Sequence, residues 1–172
     1  MTSDADLATL ADRIATILRQ RGETVAVAES SAGGLVCAAL LAVPGASAYF
    51  TGGAVVYTKA ARAALLGMTT EDMAGMRAET EPYARAIAVR IRERHGASWG
   101  LGESGAAGPT GSRYGDAPGH VTLAVVGPAA TVSRTVENGG TDRPLNMRRF
   151  ARQMLELFDE ALAAAGAVTP PP

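Results

Sequence analysis

The chain has 172 residues, with 16 Lys+Arg against 17 Asp+Glu, a formal net charge of -1 and a pI near 6.1. Hydrophobic residues make up 47% and charged residues 19%, which is a globular composition large enough for one domain with a real core and excludes a disordered polar chain. The near-balanced charge argues against a general nucleic-acid binder. The lone Cys37 excludes an internal disulfide framework, and two histidines, His95 and His120, argue against a histidine-rich metal site.

Residues 4–21 predict an amphipathic helix in which Leu7, Leu10, Ala11, Ile14, Ile17 and Leu18 follow the helical period, with Ser3 as N-cap and Gly22 as stop. A short buried strand is expected at 24–28. The chain then turns through Glu29-Ser30-Ser31-Ala32 into Gly33-Gly34, and a helix runs to about Ala42, ended by Pro44. A second strand is expected at 52–57, followed by a short helix from Thr58 to Leu66 closed by Gly67. Residues 70–76 predict another short helix. A longer one starts near Thr80, carries Tyr83, Ile87 and Ile91 as its apolar stripe, and stops at Gly96.

A third strand is expected at 98–102, then a glycine-rich loop over 103–119. Two further strands at 120–126 and 131–136 are joined by Gly127-Pro128 as a hairpin. The last helix starts near Thr141–Pro144 and buries Met147, Phe150, Met154, Phe158 and Leu162. The order of elements predicts an α/β three-layer sandwich: a mixed β-sheet with helices on both faces and a C-terminal hairpin plus helix. One domain is expected over 1–166, with 167–172 a disordered Pro-rich tail. The longest apolar stretch, near Leu35–Pro44, is too short to span a bilayer, and the acidic N-terminus does not read as a targeting segment. A cytoplasmic protein without membrane or nucleic-acid partners is therefore expected.

Ligands of such sheets collect at the carboxyl ends of the strands. Two strand ends echo each other there: A-E-S-S-A-G-G at 28–34 and G-E-S-G-A-A-G at 102–108. Neighbouring strands would bring Glu29, Ser30, Glu103 and Ser104 into one crevice. Gly33 and Gly34 open a helix whose free N–H groups suit an anion, and the run Gly105–Gly111 offers a second set; neither fits a P-loop or a dinucleotide fingerprint. Lys59 is the only lysine among the 16 basic residues, hence the only candidate for a lysine general base. The last helix runs against its own dipole, with Arg143, Arg148 and Arg149 early and Glu156, Asp159 and Glu160 late. Either salt bridges or an anionic ligand would offset that cost.

The ordered motifs A-E-S-S-A-G-G, P-G-A-S-A-Y-F-T-G-G-A-V-V-Y (44–57) and S-G-A-A-G-P-T-G (104–111) resemble the C-terminal domain of the CinA family, which includes the nicotinamide mononucleotide amidohydrolases. The resemblance runs from the first helix to the last. It implies hydrolysis of nicotinamide mononucleotide to nicotinate mononucleotide and ammonia, by a serine nucleophile with a lysine base and without metal or cofactor. It also implies a homo-oligomer. Pro44–Thr51, with Tyr49 and Phe50, is expected to form an apolar patch that association would cover, the alternative being that Tyr49 and Phe50 are core residues.

By this resemblance Ser30 takes the place of the serine, and Ser31, Gly33, Gly34, Tyr57, Ser104, Gly105, Gly108 and Arg143 surround the substrate. Three departures stand out. The family stretch Y-S-N-E-A-K aligns with Tyr57–Arg62, so its lysine falls on Arg62. The threonine of A-E-S-C-T-G-G is Ala32, and a carboxylate, Glu103, precedes the serine of the S-G-A-A-G-P run. A guanidinium does not accept a serine proton at neutral pH. The base is then Lys59, one helical turn away, or Glu29 or Glu103. Arg62 is expected to bind a phosphate or carboxylate of the substrate rather than to catalyse, and the alternatives are a nucleotide-binding module without catalysis or a glutamate-dependent hydrolase of another substrate. Ser30, Tyr57, Lys59 or Arg62, Glu103 and Ser104 are expected to line one pocket.

Overall fold

A computed structural model describes residues 4–166. Helix α1 (Asp4–Arg21) leads into strand β1 (Val25–Glu29), and helix α2 (Leu35–Leu41) leads into β2 (Phe50–Val55). Then come α3 (Lys59–Leu66), α4 (Glu81–His95), β3 (Trp99–Ala106), β4 (His120–Val126), β5 (Thr131–Glu137) and α5 (Arg143–Gly166). The five strands form one sheet in the order β2-β1-β3-β4-β5. β1 is parallel to β2 and to β3, whereas β3, β4 and β5 are antiparallel in sequence. The sheet is mixed, with helices on both faces, as the alternation of elements predicts.

The alternation of side chains along a strand divides the core into two layers. Val25, Val27, Trp99, Leu101, Leu123 and Val125 face α1, α2 and α5, whose Ile14, Leu18, Val36, Leu40, Phe150 and Phe158 complete the larger layer. Ala26 and Ala28 face the other way, toward Leu66 of α3 and Tyr83, Ile87 and Ile91 of α4. That second layer is thin because β3 presents glycines to α4. A Cβ on Gly100 or Gly102 would fall onto the carbonyl oxygens of Ala88 or Ala84, so only glycine admits this approach.

Trp99 anchors the larger layer. It is 1% exposed, meets the Phe158 ring edge-on at 5.6 Å, and donates its indole N–H to Glu23 Oε2 at 2.7 Å.

The structure moves several predicted boundaries. β3 continues four residues past the expected end, to Ala106, across residues read as loop for their glycines. Its pairing with β4, from Gly100↔Val126 to Ala106↔His120, overrides the weak strand propensity of Gly102 and Gly105. Glu103 and Ser104 therefore stand inside a strand and point to opposite faces. β2 lies two residues earlier than expected. The helix expected at 70–76 is a single 3-10 turn at Glu71–Met73. The helix after the glycine pair starts only at Leu35, because Gly34 is left-handed with φ 98.

Of the two readings of Tyr49 and Phe50, an apolar surface patch or core residues, the structure gives the core one. Tyr49 is fully buried and donates its hydroxyl to the Leu40 carbonyl at 2.5 Å, while Phe50 packs on the core. Ser3 and the tail 167–172 lie outside the described residues.

Trp99→Ala removes the largest buried side chain together with its bond to Glu23. The substitution should lower the unfolding free energy by about 3–5 kcal/mol, read as a drop in the urea midpoint without loss of helical dichroism. A midpoint within experimental error of the parent would show that the Trp99–Phe158 contact contributes nothing.

Candidate functional site

The parallel pairing of β1 with β3, Val25↔Trp99 through Ala28↔Gly102, sets the next residue of each strand, Glu29 and Glu103, side by side at the carboxyl end of the sheet. Both are fully buried. A buried carboxylate must find donors, and the two find different ones. Glu29 accepts from the backbone N–H of Val36 at 3.2 Å and of Cys37 at 3.0 Å, where α2 begins. Glu103 Oε2 accepts from the N–H of Ser30 at 2.8 Å and of Ala32 at 3.0 Å, and its Oε1 accepts from the Ser31 hydroxyl. Glu103 therefore holds three consecutive residues of the turn that carries Ser30.

Burial pushes the Glu103 carboxyl up to about 7, with the neighbouring Glu29 adding to the rise; the Ser31 hydroxyl and the amides of Ala32 and Ser30 pull the other way. Burial likewise raises the Cys37 thiol, with Glu29 contributing.

Ser30 lies at the junction of two cavities. The first, about 240 Å³, is lined by Ser30, Tyr57, Lys59, Arg62, Glu79 and Ser104, with Met73, Met76 and Tyr83 among the rest of its wall. The second, about 330 Å³, is lined by Ser30, Ser31, Tyr57 and Glu79, by the Gly105–Gly108 run, and by Thr110, Gly111, Ser112, Arg113 and Arg143. Ser30, Tyr57, Glu79 and Arg113 belong to both, so the two are arms of one cleft.

Its walls are set by local chemistry. Thr58 caps α3 by accepting from the Ala61 N–H at 3.0 Å, which fixes Lys59 in the first turn and Arg62 one turn on. Arg62 is 6% exposed, its guanidinium carbon 5.9 Å from the centre of the Tyr83 ring. Asp142 caps α5 through the Leu145 N–H at 3.0 Å. The next residue, Arg143, crosses the cleft, donating to the Gly108 carbonyl at 2.7 Å and the Tyr57 hydroxyl at 3.0 Å. Asn146 holds the glycine run from behind by donating to the Ala107 carbonyl at 2.9 Å.

The acidic residues late in α5 find partners of their own: Glu156 with Arg152, Asp159 with Arg13 and Glu160 with Arg134. Salt bridges thus account for that half of the unfavourable helix charge.

Most of the residues expected to converge do so. Ser30, Tyr57, Lys59, Arg62 and Ser104 share the first arm; Ser30, Ser31, Tyr57, Gly105, Gly108 and Arg143 share the second. Glu103 is the correction: it does not line the pocket with Ser104, because successive strand residues face opposite sides of the sheet. Glu29, Gly33 and Gly34 also stand outside both arms, and a Cβ at Gly33 would meet the Met147 side chain rather than a ligand.

Sequence reasoning missed Glu79 and Arg113, which line both arms. Glu79 adopts the left-handed conformation with φ 57, and donates its N–H to Ser104 Oγ at 3.2 Å. Its carbonyl lies 2.9 Å from His120 Nε2. Burial raises its carboxyl, helped by Asp116 and opposed by Arg77, Arg113 and His120. Nothing in R-A-E-T-E-P marked this position. Behind it, Arg77 holds Asp116 down to about 2 through hydrogen bonds of 2.6 and 2.9 Å. Among the described residues no three His, Cys, Asp or Glu side chains form a metal-binding group, and no helix is long and apolar enough to cross a membrane.

The raised Glu103 carboxyl has a defined consequence for stability. Between its ordinary 4.5 and about 7 the folded chain keeps a proton that the unfolded chain releases. That contribution is therefore complete below the ordinary value and is lost as pH rises through the folded one, at up to about 1.4 kcal/mol per pH unit. Glu103→Gln should remove this slope from unfolding free energies measured by urea titration across the window. Parallel curves for the two proteins would mean that Glu103 is ionised throughout.

Comparison with known proteins agrees with the motifs. The pattern of the CinA C-terminal domain matches residues 7–162. A CinA-like protein of Prochlorococcus marinus is 44% identical over 135 residues, covering 78% of this chain and 32% of that protein. Another, from Anaeromyxobacter dehalogenans, is 42% identical over 153 residues, covering 89% and 37%. The chain thus spans about a third of the length of these relatives. Among solved structures, the competence/damage inducible protein CihA from Agrobacterium tumefaciens superposes with a TM-score of 0.84 at 31% identity, covering 92% of this chain and 96% of that one. A CinA superfamily protein from Klebsiella pneumoniae gives 0.85 at 27% identity, covering 92% and 98%. With the matched pattern running from α1 to α5, the chain belongs to the CinA family through its C-terminal domain.

Proposed function

We propose that this domain hydrolyses the carboxamide of nicotinamide mononucleotide, giving nicotinate mononucleotide and ammonia. The observation that carries the reading is the position of Ser30 at the junction of two unlike arms. One arm ends in exposed loop residues and two arginines, Arg113 and Arg143, and suits a phosphate. The other ends among Met73, Met76 and Tyr83 with Arg62 and Glu79, and suits an aromatic ring bearing a polar group. A mononucleotide laid across both arms brings its ring substituent to Ser30.

In the proposed reaction Ser30 Oγ adds to the carboxamide carbon and its proton passes to a base. The tetrahedral adduct collapses to an acyl ester as the C–N bond breaks and the nitrogen leaves, protonated, as ammonia. Water then cleaves the ester, restoring the serine and forming the carboxylate product. Lys59, which shares the first arm with Ser30, is the base in this reading. Glu29 and Glu103 are assigned support instead, since their oxygens are taken by the amides of α2 and of the serine turn. No metal or cofactor enters this scheme.

A second reading, a binding module that holds the nucleotide without hydrolysis, is favoured by Arg62, which stands where the family resemblance puts a lysine. Ammonia release separates the two. Under the hydrolase reading the unmodified protein releases ammonia from nicotinamide mononucleotide, Ser30→Ala releases none, and Lys59→Arg lowers turnover by about 10²-fold or more. Tight binding with no ammonia from the unmodified protein would leave the binding module.

A further inference from the structure

Among the described residues, two buried polar atoms of side chains lining the first arm have no hydrogen-bond partner: Arg62 Nε and Glu79 Oε2. Glu29 and Glu103, deeper still, are engaged by backbone N–H groups and, for Glu103, by the Ser31 hydroxyl. An unmatched buried donor or acceptor costs about 1–3 kcal/mol, and both side chains belong to the wall of one cavity. No ion pair joins Arg62 to Glu79 among the described residues, and each is held by its own neighbours. Arg62 is seated on α3 against Tyr83, and Glu79 is held by Ser104 and His120 through its own backbone.

We propose that Arg62 and Glu79 form a subsite for an uncharged primary carboxamide, Arg62 Nε donating to the carbonyl oxygen and Glu79 Oε2 accepting from an amide N–H. This rests on the reading that the cleft takes a carboxamide-bearing mononucleotide, and adds how the substrate is told from its product. A guanidinium offers only donors and a carboxylate only acceptors. A carboxamide carries one of each and matches both. A carboxylate matches Arg62 but sets its second oxygen against Glu79, acceptor to acceptor and charge to charge. Glu79 is then a specificity-determining residue that favours the amide and expels the acid. Arg62, by itself, favours the acid.

The two residues therefore make opposite predictions for one ratio, the Kd of nicotinate mononucleotide over that of nicotinamide mononucleotide. It is measured by calorimetry on the Ser30→Ala protein, so that the amide persists. The parent ratio should be about ten or more, the scale of one charge-assisted hydrogen bond. Adding Glu79→Gln, whose amide can donate to the acid, should bring the ratio close to one. Adding Arg62→Gln should raise it above the parent value. A substitution that only loosens the fold weakens both ligands alike and leaves the ratio unmoved, and the Arg62 variant carries the test if the Glu79 variant does not fold.

Equal affinities in the parent, or a ratio moved by neither variant, would overturn the subsite. Ammonia release by the unmodified protein together with such a result overturns the subsite and keeps the hydrolase. Discrimination without ammonia keeps the subsite and removes the hydrolase. Failure to bind either nucleotide overturns both.

Discussion

The site depends on the bond between a strand and a turn: the Glu103 carboxylate of β3 beneath the N–H groups of Ser30 and Ala32 and the hydroxyl of Ser31. A turn of small residues, Ser-Ser-Ala-Gly-Gly, has little packing of its own to define it. One buried carboxylate fixes three consecutive residues of it, and the parallel register of β1 and β3 fixes the carboxylate. The position of Ser30 is thus inherited from the sheet rather than from its loop. Glu29 does the same for the start of α2, so the two glutamates set both ends of the segment from below the cleft.

The cost of this arrangement is electrostatic. Burial, with the neighbouring Glu29 carboxylate adding to it, is why Glu103 holds its proton toward neutrality. The same logic recurs one layer out, where Glu79 lies near Asp116 and is countered by Arg77, Arg113 and His120. Several charges that line the cleft are held in place by protein partners, while Arg62 Nε and Glu79 Oε2 have none among the described residues.

Much of this was legible in the sequence. Helical and strand periods located every long element, because α1, α4 and α5 bury continuous apolar stripes and β1, β3 and β4 line the sheet centre. The echo of Glu-Ser at two strand ends pointed to neighbouring strands, which β1 and β3 are. What sequence could not supply was which face each residue takes. That required the register of β3 with β4, set by pairing across twenty residues; it separates Glu103 from Ser104 and carries the strand through glycines that read locally as loop. Glu79 was invisible for a similar reason. Its role comes from a left-handed backbone and from His120 and Ser104, both distant in sequence. Tyr49, left open between an apolar surface patch and the core, is buried through a carbonyl of α2 that no local pattern reveals.

The central claim is that one mononucleotide spans both arms with its ring substituent beside Ser30. A crystal structure of the Ser30→Ala protein with nicotinamide mononucleotide tests it directly. The account predicts the phosphate against the Thr110–Arg113 loop and Arg143, and the carboxamide between Arg62 and Glu79. A nucleotide bound in the reverse sense, with its phosphate on Arg62 and its ring away from residue 30, would contradict it.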